Sequence, residues 1–214
     1  MKKFLILTTM FVALVVVGFG QTITGTMHDF NNTTGDGSIV DATWNTSSDN
    51  EKCGTCHIPH NADAVTVGAP LWSHDISSAG FTSYTGTDMD ATTGAPSGTS
   101  LLCLSCHDGT VDLDAHDQKA GVATVLKMTG SALVGTDLSN DHPVSFTWVN
   151  EAGLHDPTAT LSGLGANIDD DMLFGAGNDQ MECASCHDAH NDANGSFLRK
   201  SNANSALCLT CHNK

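Results

Sequence analysis

The sequence predicts a fold of mostly irregular coil, with short helices and a few short strands, gathered around bound groups instead of a large apolar core. Three observations lead there. The pattern C-x-x-C-H occurs four times, at Cys53/Cys56/His57, Cys103/Cys106/His107, Cys183/Cys186/His187 and Cys208/Cys211/His212, and it uses all eight cysteines. The stretches between the motifs are rich in Gly, Ser, Thr, Asn and Asp and show little helical or strand periodicity. The motifs also fall into two related halves.

The spacing within each motif is that of a c-type haem attachment site. Two thiols three residues apart add to the two vinyl groups of one porphyrin. The imidazole directly after the second thioether then falls under the iron as its proximal ligand. Four motifs therefore predict four covalent haems c, with Cys53, Cys56, Cys103, Cys106, Cys183, Cys186, Cys208 and Cys211 as attachment residues. His57, His107, His187 and His212 are the proximal ligands. A zinc ribbon also uses C-x-x-C pairs, but it does not need a histidine after every second cysteine. A disulfide framework is the other alternative in an exported chain, and it gives the histidines no role.

The ends and the charge set the compartment and exclude some partners. Met1-Lys2-Lys3 is basic, Phe4 to Val17 is nearly all apolar, and Gly18-Phe19-Gly20 supplies small residues at the two positions a signal peptidase reads. Residues 1–20 read as a signal peptide cleaved after Gly20, with an uncleaved anchor as the alternative. The apolar run is short for a membrane span, and no other run reaches spanning length. The mature chain is expected to be exported, either extracellular or at the cell surface, otherwise periplasmic. Without Lys2 and Lys3, 6 of the 8 basic residues face 24 acidic ones, a net charge of −18. Nucleic acid and anionic membranes are poor partners for such a chain, and a basic redox protein is a better one.

Taken in order, Gln21 to Asn50 reads as polar coil containing His28, and the first motif continues as C-G-T-C-H-I-P-H-N with His60. Pro70-Leu71-Trp72-Ser73-His74 is an apolar patch suited to a porphyrin face. Ile76 to Ser100 reads as loop, Leu101-Leu102 leads into the second motif, and Thr110-Val111 is strand-like after the turn at Asp108-Gly109. Ala120 to Val134 is the best periodic segment, limited by Gly121 and Gly130 to a short helix or a β-excursion. Pro143 forces His142 into an extended conformation. Asp169-Asp170-Asp171 reads as a solvated face, with a calcium ligand set as the alternative.

Both halves run C-x-x-C-H-x-x-H-N, a spacer, then L-C-L-x-C-H, although Cys53 to Cys103 spans 50 residues and Cys183 to Cys208 spans 25. The chain of residues 21–214 therefore divides into two dihaem modules, about 21–120 and 135–214. Seven histidines remain after the proximal four: His28, His60, His74, His116, His142, His155 and His190. That surplus favours histidine on both faces of every iron. His60 and His190, three residues beyond a proximal histidine, are expected to ligate the partner haem of their own module. His28 and His142, each beside an aspartate, are the other two candidates, with His74 as the competitor. His116 and His155 are expected to be exposed. Met27, Met89, Met128, Met172 and Met181 are available as ligands, but none has a repeated context.

These stretches, from T-M-H-D-F through C-G-T-C-H-I-P-H-N and A-P-L-W-S-H to A-L-C-L-T-C-H-N-K, resemble the multihaem c-type cytochromes with paired C-x-x-C-H motifs. They resemble more closely the tetrahaem members that polymerise into extracellular filaments. The resemblance implies a multihaem cytochrome c fold around a stack of four haems, and electron conduction as the function. It also implies a homopolymer in which one haem takes its distal histidine from the neighbouring subunit. His28, in a polar N-terminal arm, is the candidate for that exchange. The alternatives are a soluble periplasmic tetrahaem carrier and, less favoured, a multihaem oxyanion reductase. The chain is expected not to be an enzyme. Full bis-histidine ligation leaves no open coordination position, Arg199 is its single arginine, and no motif reads C-x-x-C-K.

Overall fold

The computed structural model describes residues 23–30, 53–63, 70–116, 126–159 and 167–214. The expected signal peptide and most of the N-terminal coil lie outside the described residues. So does the first part of the periodic segment 120–134.

Regular structure is sparse. The longest element is helix α1, Gly98–His107, and three single turns follow: α2 Ile168–Asp171, α3 Cys183–Cys186 and α4 Cys208–Cys211. The two strands, β1 Phe146–Thr147 and β2 Gln180–Met181, pair antiparallel, with Phe146 opposite Met181. α1 forms because Leu101, Leu102 and Leu104 favour helix, and Leu102 and Leu104 are buried on different faces of it. It ends at Asp108, and Gly109 then turns the chain with φ +72, a conformation that costs glycine little. The helix thus starts inside the stretch that the sequence reads as loop.

Two further expectations change. Thr110-Val111 is a bend, not a strand. The Asp108 carboxylate accepts from the Thr110 amide at 2.7 Å and from its hydroxyl at 2.9 Å, which closes a local turn. In the periodic segment, the described part contains a 3₁₀ turn at Gly130–Ala132.

The main apolar cluster consists of Ile168, Met172, Leu173, Met181, Leu207 and Cys211, with Phe146, Trp148, Cys186 and Leu198 against it. It joins α2, β2, α3 and α4, so it lies between the third and fourth motifs. The Asp169-Asp170-Asp171 run is the body of α2, at the helix start where carboxylates are favoured by the helix dipole. Leu102, Leu104, Leu113, Ala115 and Met128 are buried around the second motif. α1 packs against α3, which places the first half of the sequence directly on the second. Among the described residues no helix is long and apolar enough to cross a membrane.

Candidate haem attachment sites

The third and fourth motifs are single helical turns, and the first is a hydrogen-bonded turn of the same span. The amide of His57 donates to the Cys53 carbonyl at 2.7 Å, His187 to Cys183 at 3.1 Å, and His212 to Cys208 at 2.9 Å. The second motif closes the longer helix α1. One turn brings both thiols to the same side. In the third and fourth motifs the backbone becomes extended at the histidine itself, with φ/ψ of −113/141 at His187 and −91/126 at His212. Single β-bridges then pin His57 to Trp72, His187 to Leu198 and His212 to Leu154.

The imidazoles are oriented by backbone carbonyls supplied from later loops. Nδ1 of His57 donates to the Pro70 carbonyl at 2.6 Å, His107 to Ala132 at 2.7 Å, and His187 to Ser196 at 2.9 Å. Two histidines outside the motifs do the same, His28 to Ala189 at 3.2 Å and His142 to Pro143 at 3.0 Å. Nδ1 of His190 faces the Asp188 carboxylate at 3.7 Å. A proton held on Nδ1 leaves the lone pair on Nε2, the arrangement found in metal-ligating histidines. Two of the loops that provide these carbonyls contain bulky residues in the left-handed region, Leu71 at φ 55 and Phe197 at φ 56. Such residues are costly and concentrate at functional sites.

The histidines also face one another in pairs. The ring centres of His57 and His190 are 6.0 Å apart, those of His107 and His28 6.2 Å, and those of His212 and His142 6.3 Å. Stacked rings can be closer, as His28 and Phe197 are at 4.2 Å, while His28 and Phe30 at 6.1 Å and His57 and Trp72 at 6.2 Å share this wider spacing. A metal–imidazole bond is about 2 Å long and the ring centre lies about 1 Å behind the nitrogen, so two rings on one metal sit about 6 Å apart. Three of the four proximal histidines therefore have an imidazole at the spacing an interposed iron requires. The residues present fit a haem. Burial holds His28 below the ordinary histidine range, and burial together with His142 holds His212 below it, which suits ligands that bind metal unprotonated.

The pairing differs from the expected one. His190 faces the proximal histidine of the other half, not that of its own module. Folding α1 onto α3 brings the two halves into contact, and His190 leaves its turn towards the first motif. His28 faces His107 of its own chain. His60 is exposed, and among the described residues no ring stands at this spacing from it or from His187.

The remaining candidates have other places. His74 is buried, with Nδ1 on the Asp75 carbonyl at 2.9 Å and Nε2 on the Asp112 carbonyl at 3.1 Å, so both nitrogens face backbone. His116 is buried where exposure was expected, because its backbone pairs with that of His74. His155 is half-buried, its amide donating to the Cys211 carbonyl. Met128, Met172 and Met181 are buried in the apolar clusters, and Met27 is exposed.

No disulfide joins any of the eight cysteines. Burial pushes the Cys56 thiol up to about 11 and the Cys211 thiol up to about 12. Their neighbours follow chain order: Cys56 lies near Cys106, Cys103 near Cys183, and Cys186 near Cys208 and Cys211. Among the described residues no group of three or more His, Cys, Asp or Glu side chains converges on a metal-sized site.

The coil-rich fold and these motifs support a c-type multihaem cytochrome-like protein, and the motifs imply covalently bound haem. Residues 176–214, covering the third and fourth motifs, match the family of the doubled CXXCH motif. No curated protein matches the chain.

Proposed function

We propose that this chain transfers electrons through four covalent haems c with histidine on both faces, and that it works outside the cytoplasm as the subunit of a conducting filament. The observation that carries the reading is the set of three facing imidazole pairs at 6.0–6.3 Å. Cysteines anchor each haem, a proximal histidine ligates it from one side, and His190, His28 and His142 ligate from the other. The haem, when bound, supplies a one-electron couple between ferric and ferrous iron. The chain-order adjacency of the cysteines supports close packing of consecutive haems.

Two observations support assembly. His187 has no facing ring at ligand spacing among the described residues, while His60 is exposed with none opposite it. A second copy that inserts His60 opposite His187 completes both. His28 is then a ligand within its own chain, not the exchanged arm. The position of His28 also favours a second reading, the soluble monomeric carrier, because a chain that completes its own second site needs no neighbour there. Against a reductase stands the single guanidinium, Arg199, which donates to the Ala184 carbonyl at 2.5 Å and lies over the Phe174 ring at 5.3 Å. It is engaged in holding the third motif.

Electron microscopy of the purified secreted protein, with its haem stoichiometry by mass spectrometry and its absorption spectrum, tests the reading. Filaments with four low-spin haems per chain are expected. Monomers with four low-spin haems would leave the soluble carrier. Fewer than four haems would overturn the ligand scheme.

A further inference from the structure

A buried carboxylate outside the ligand set joins two attachment sites. Glu182 is 3% exposed and immediately precedes Cys183. Its side chain accepts from the Ser185 amide in a capping box, and its own amide donates to the Ser185 hydroxyl at 2.8 Å. The same carboxylate reaches across to α1, accepting from the Ser100 amide at 3.1 Å. Ser185 and Ser100 hold the same place, the third residue of α3 and of α1. Ser97, which precedes α1, provides no side-chain cap. One carboxylate therefore caps both helices, one carrying the second motif and the other the third.

Further bonds tighten this joint. The Ser100 hydroxyl accepts from the Cys183 amide at 2.9 Å, and the Ser145 hydroxyl donates to the carboxylate at 3.1 Å and accepts from the Ser97 amide at 3.0 Å. A side chain at Gly98 would meet Glu182 Oε1 at 2.8 Å, so α1 begins with glycine where the carboxylate sits. Cys103 and Cys183, one attachment residue from each motif, lie near each other beside it. Burial raises the carboxyl and the serine donors oppose that rise. The groups that face it are neutral: Ser100, Ser145 and Ser185, with the Cys103 and Cys183 thiols alongside.

We propose that Glu182 is a positioning residue that fixes the mutual orientation of the haems attached at the second and third motifs. The inference rests on the haem-carrying reading above. Each of these helices is held to its own haem by two thioethers and an iron ligand, but those bonds say nothing of how one helix stands to the other. The double cap sets that angle, and the electronic coupling of adjacent porphyrins depends on it.

The experiment compares the wild type, Glu182→Asp and Glu182→Ala as holoproteins, by haem mass and by circular dichroism in the Soret band. Coupled porphyrins give a two-signed signal there whose amplitude follows their mutual angle. Aspartate caps its own helix well but is too short to reach Ser100. Glu182→Asp is therefore expected to keep all haems and a near-normal melting temperature, yet to change the couplet as Glu182→Ala does. A wild-type couplet in Glu182→Asp would overturn the proposal, whatever the fate of Glu182→Ala, because capping of α3 alone would then suffice. Absence of haem from the wild type would instead overturn the underlying reading.

Discussion

His57 and His190 come from opposite halves of the sequence, yet their imidazoles stand 6.0 Å apart and within 20° of parallel. The histidine three residues beyond one attachment turn thus faces the first motif's histidine in the other half. Within five residues, Cys186 and His187 would hold one haem and His190 would reach for another, across the contact between α1 and α3.

The first prediction follows from that pair. His190→Met is expected to raise the potential of the haem at Cys53/Cys56, since methionine ligation raises potentials relative to histidine. The haem at Cys183/Cys186, next to the substitution, should be unaffected. Spectroelectrochemistry on two backgrounds checks this, the second carrying Cys53→Ala and Cys56→Ala. The effect should vanish when the first haem is missing. A shift that persists there would assign His190 to its own module.

Gly109→Ala is expected to destabilise the holoprotein more than Gly130→Ala. Both glycines have left-handed φ, +72 and +71, so both substitutions incur about 1–2 kcal/mol of backbone cost. Only at Gly109 would the new Cβ also collide, at 2.6 Å from Leu133 Cδ1, while Gly130 has open space. Leu133 is exposed and its side chain can turn aside, so the extra cost is small; it follows Ala132, whose carbonyl holds the His107 ring. Thermal unfolding should show it, at about 2–4 °C per kcal/mol for a chain of this size. Equal melting temperatures would mean that the loop yields freely.

The attachment turns were legible because covalent chemistry dictates their spacing, and the coil-rich fold was legible from the glycine- and asparagine-rich spacers. The histidine pairing was not. Repeat logic keeps each module to itself, whereas contact between α1 and α3 decides which rings meet, and that contact depends on buried serines and Glu182, which leave no periodic trace. The supports of the ligands were illegible for a simpler reason. Pro70, Ala132 and Ser196 act through their carbonyl oxygens, which every residue has. Phe197, stacked on His28 at 4.2 Å, lacks any motif. His116 was misplaced because an acidic loop reads as exposed until its backbone pairs with His74.

His74 predicts how stability depends on pH. Burial lowers its imidazole below the usual value of 6.5, against the Asp75 and Asp112 carbonyls and the Asp75 and Asp114 carboxylates, which pull it up. The unfolded chain therefore binds the proton more readily, and stability rises with pH across this range. The contribution is complete above about 6.5 and is lost as pH falls from there through the lower folded value. Denaturant unfolding between neutral and mildly acid pH should show the decline, with a smaller slope in His74→Gln. An unchanged slope would place the acid sensitivity elsewhere.

The last prediction concerns the open side of His187. Carbon monoxide binds a ferrous haem only where the sixth position is free or easily vacated, and an imidazole on each face prevents it. His57, His107 and His212 have facing rings in their own chain, and His187 does not among the described residues. If His60 of a second copy fills that place, coordination and assembly are one event. Filaments should then bind almost no carbon monoxide, and reduced protein dispersed to monomers should bind it at one haem of the four. His60→Ala should behave as dispersed protein does, forming no filaments and gaining one high-spin haem. Carbon monoxide titration beside negative-stain microscopy reads both properties on the same samples. Monomers that bind none would show that the chain completes this site by itself, and His60 would then be its internal ligand.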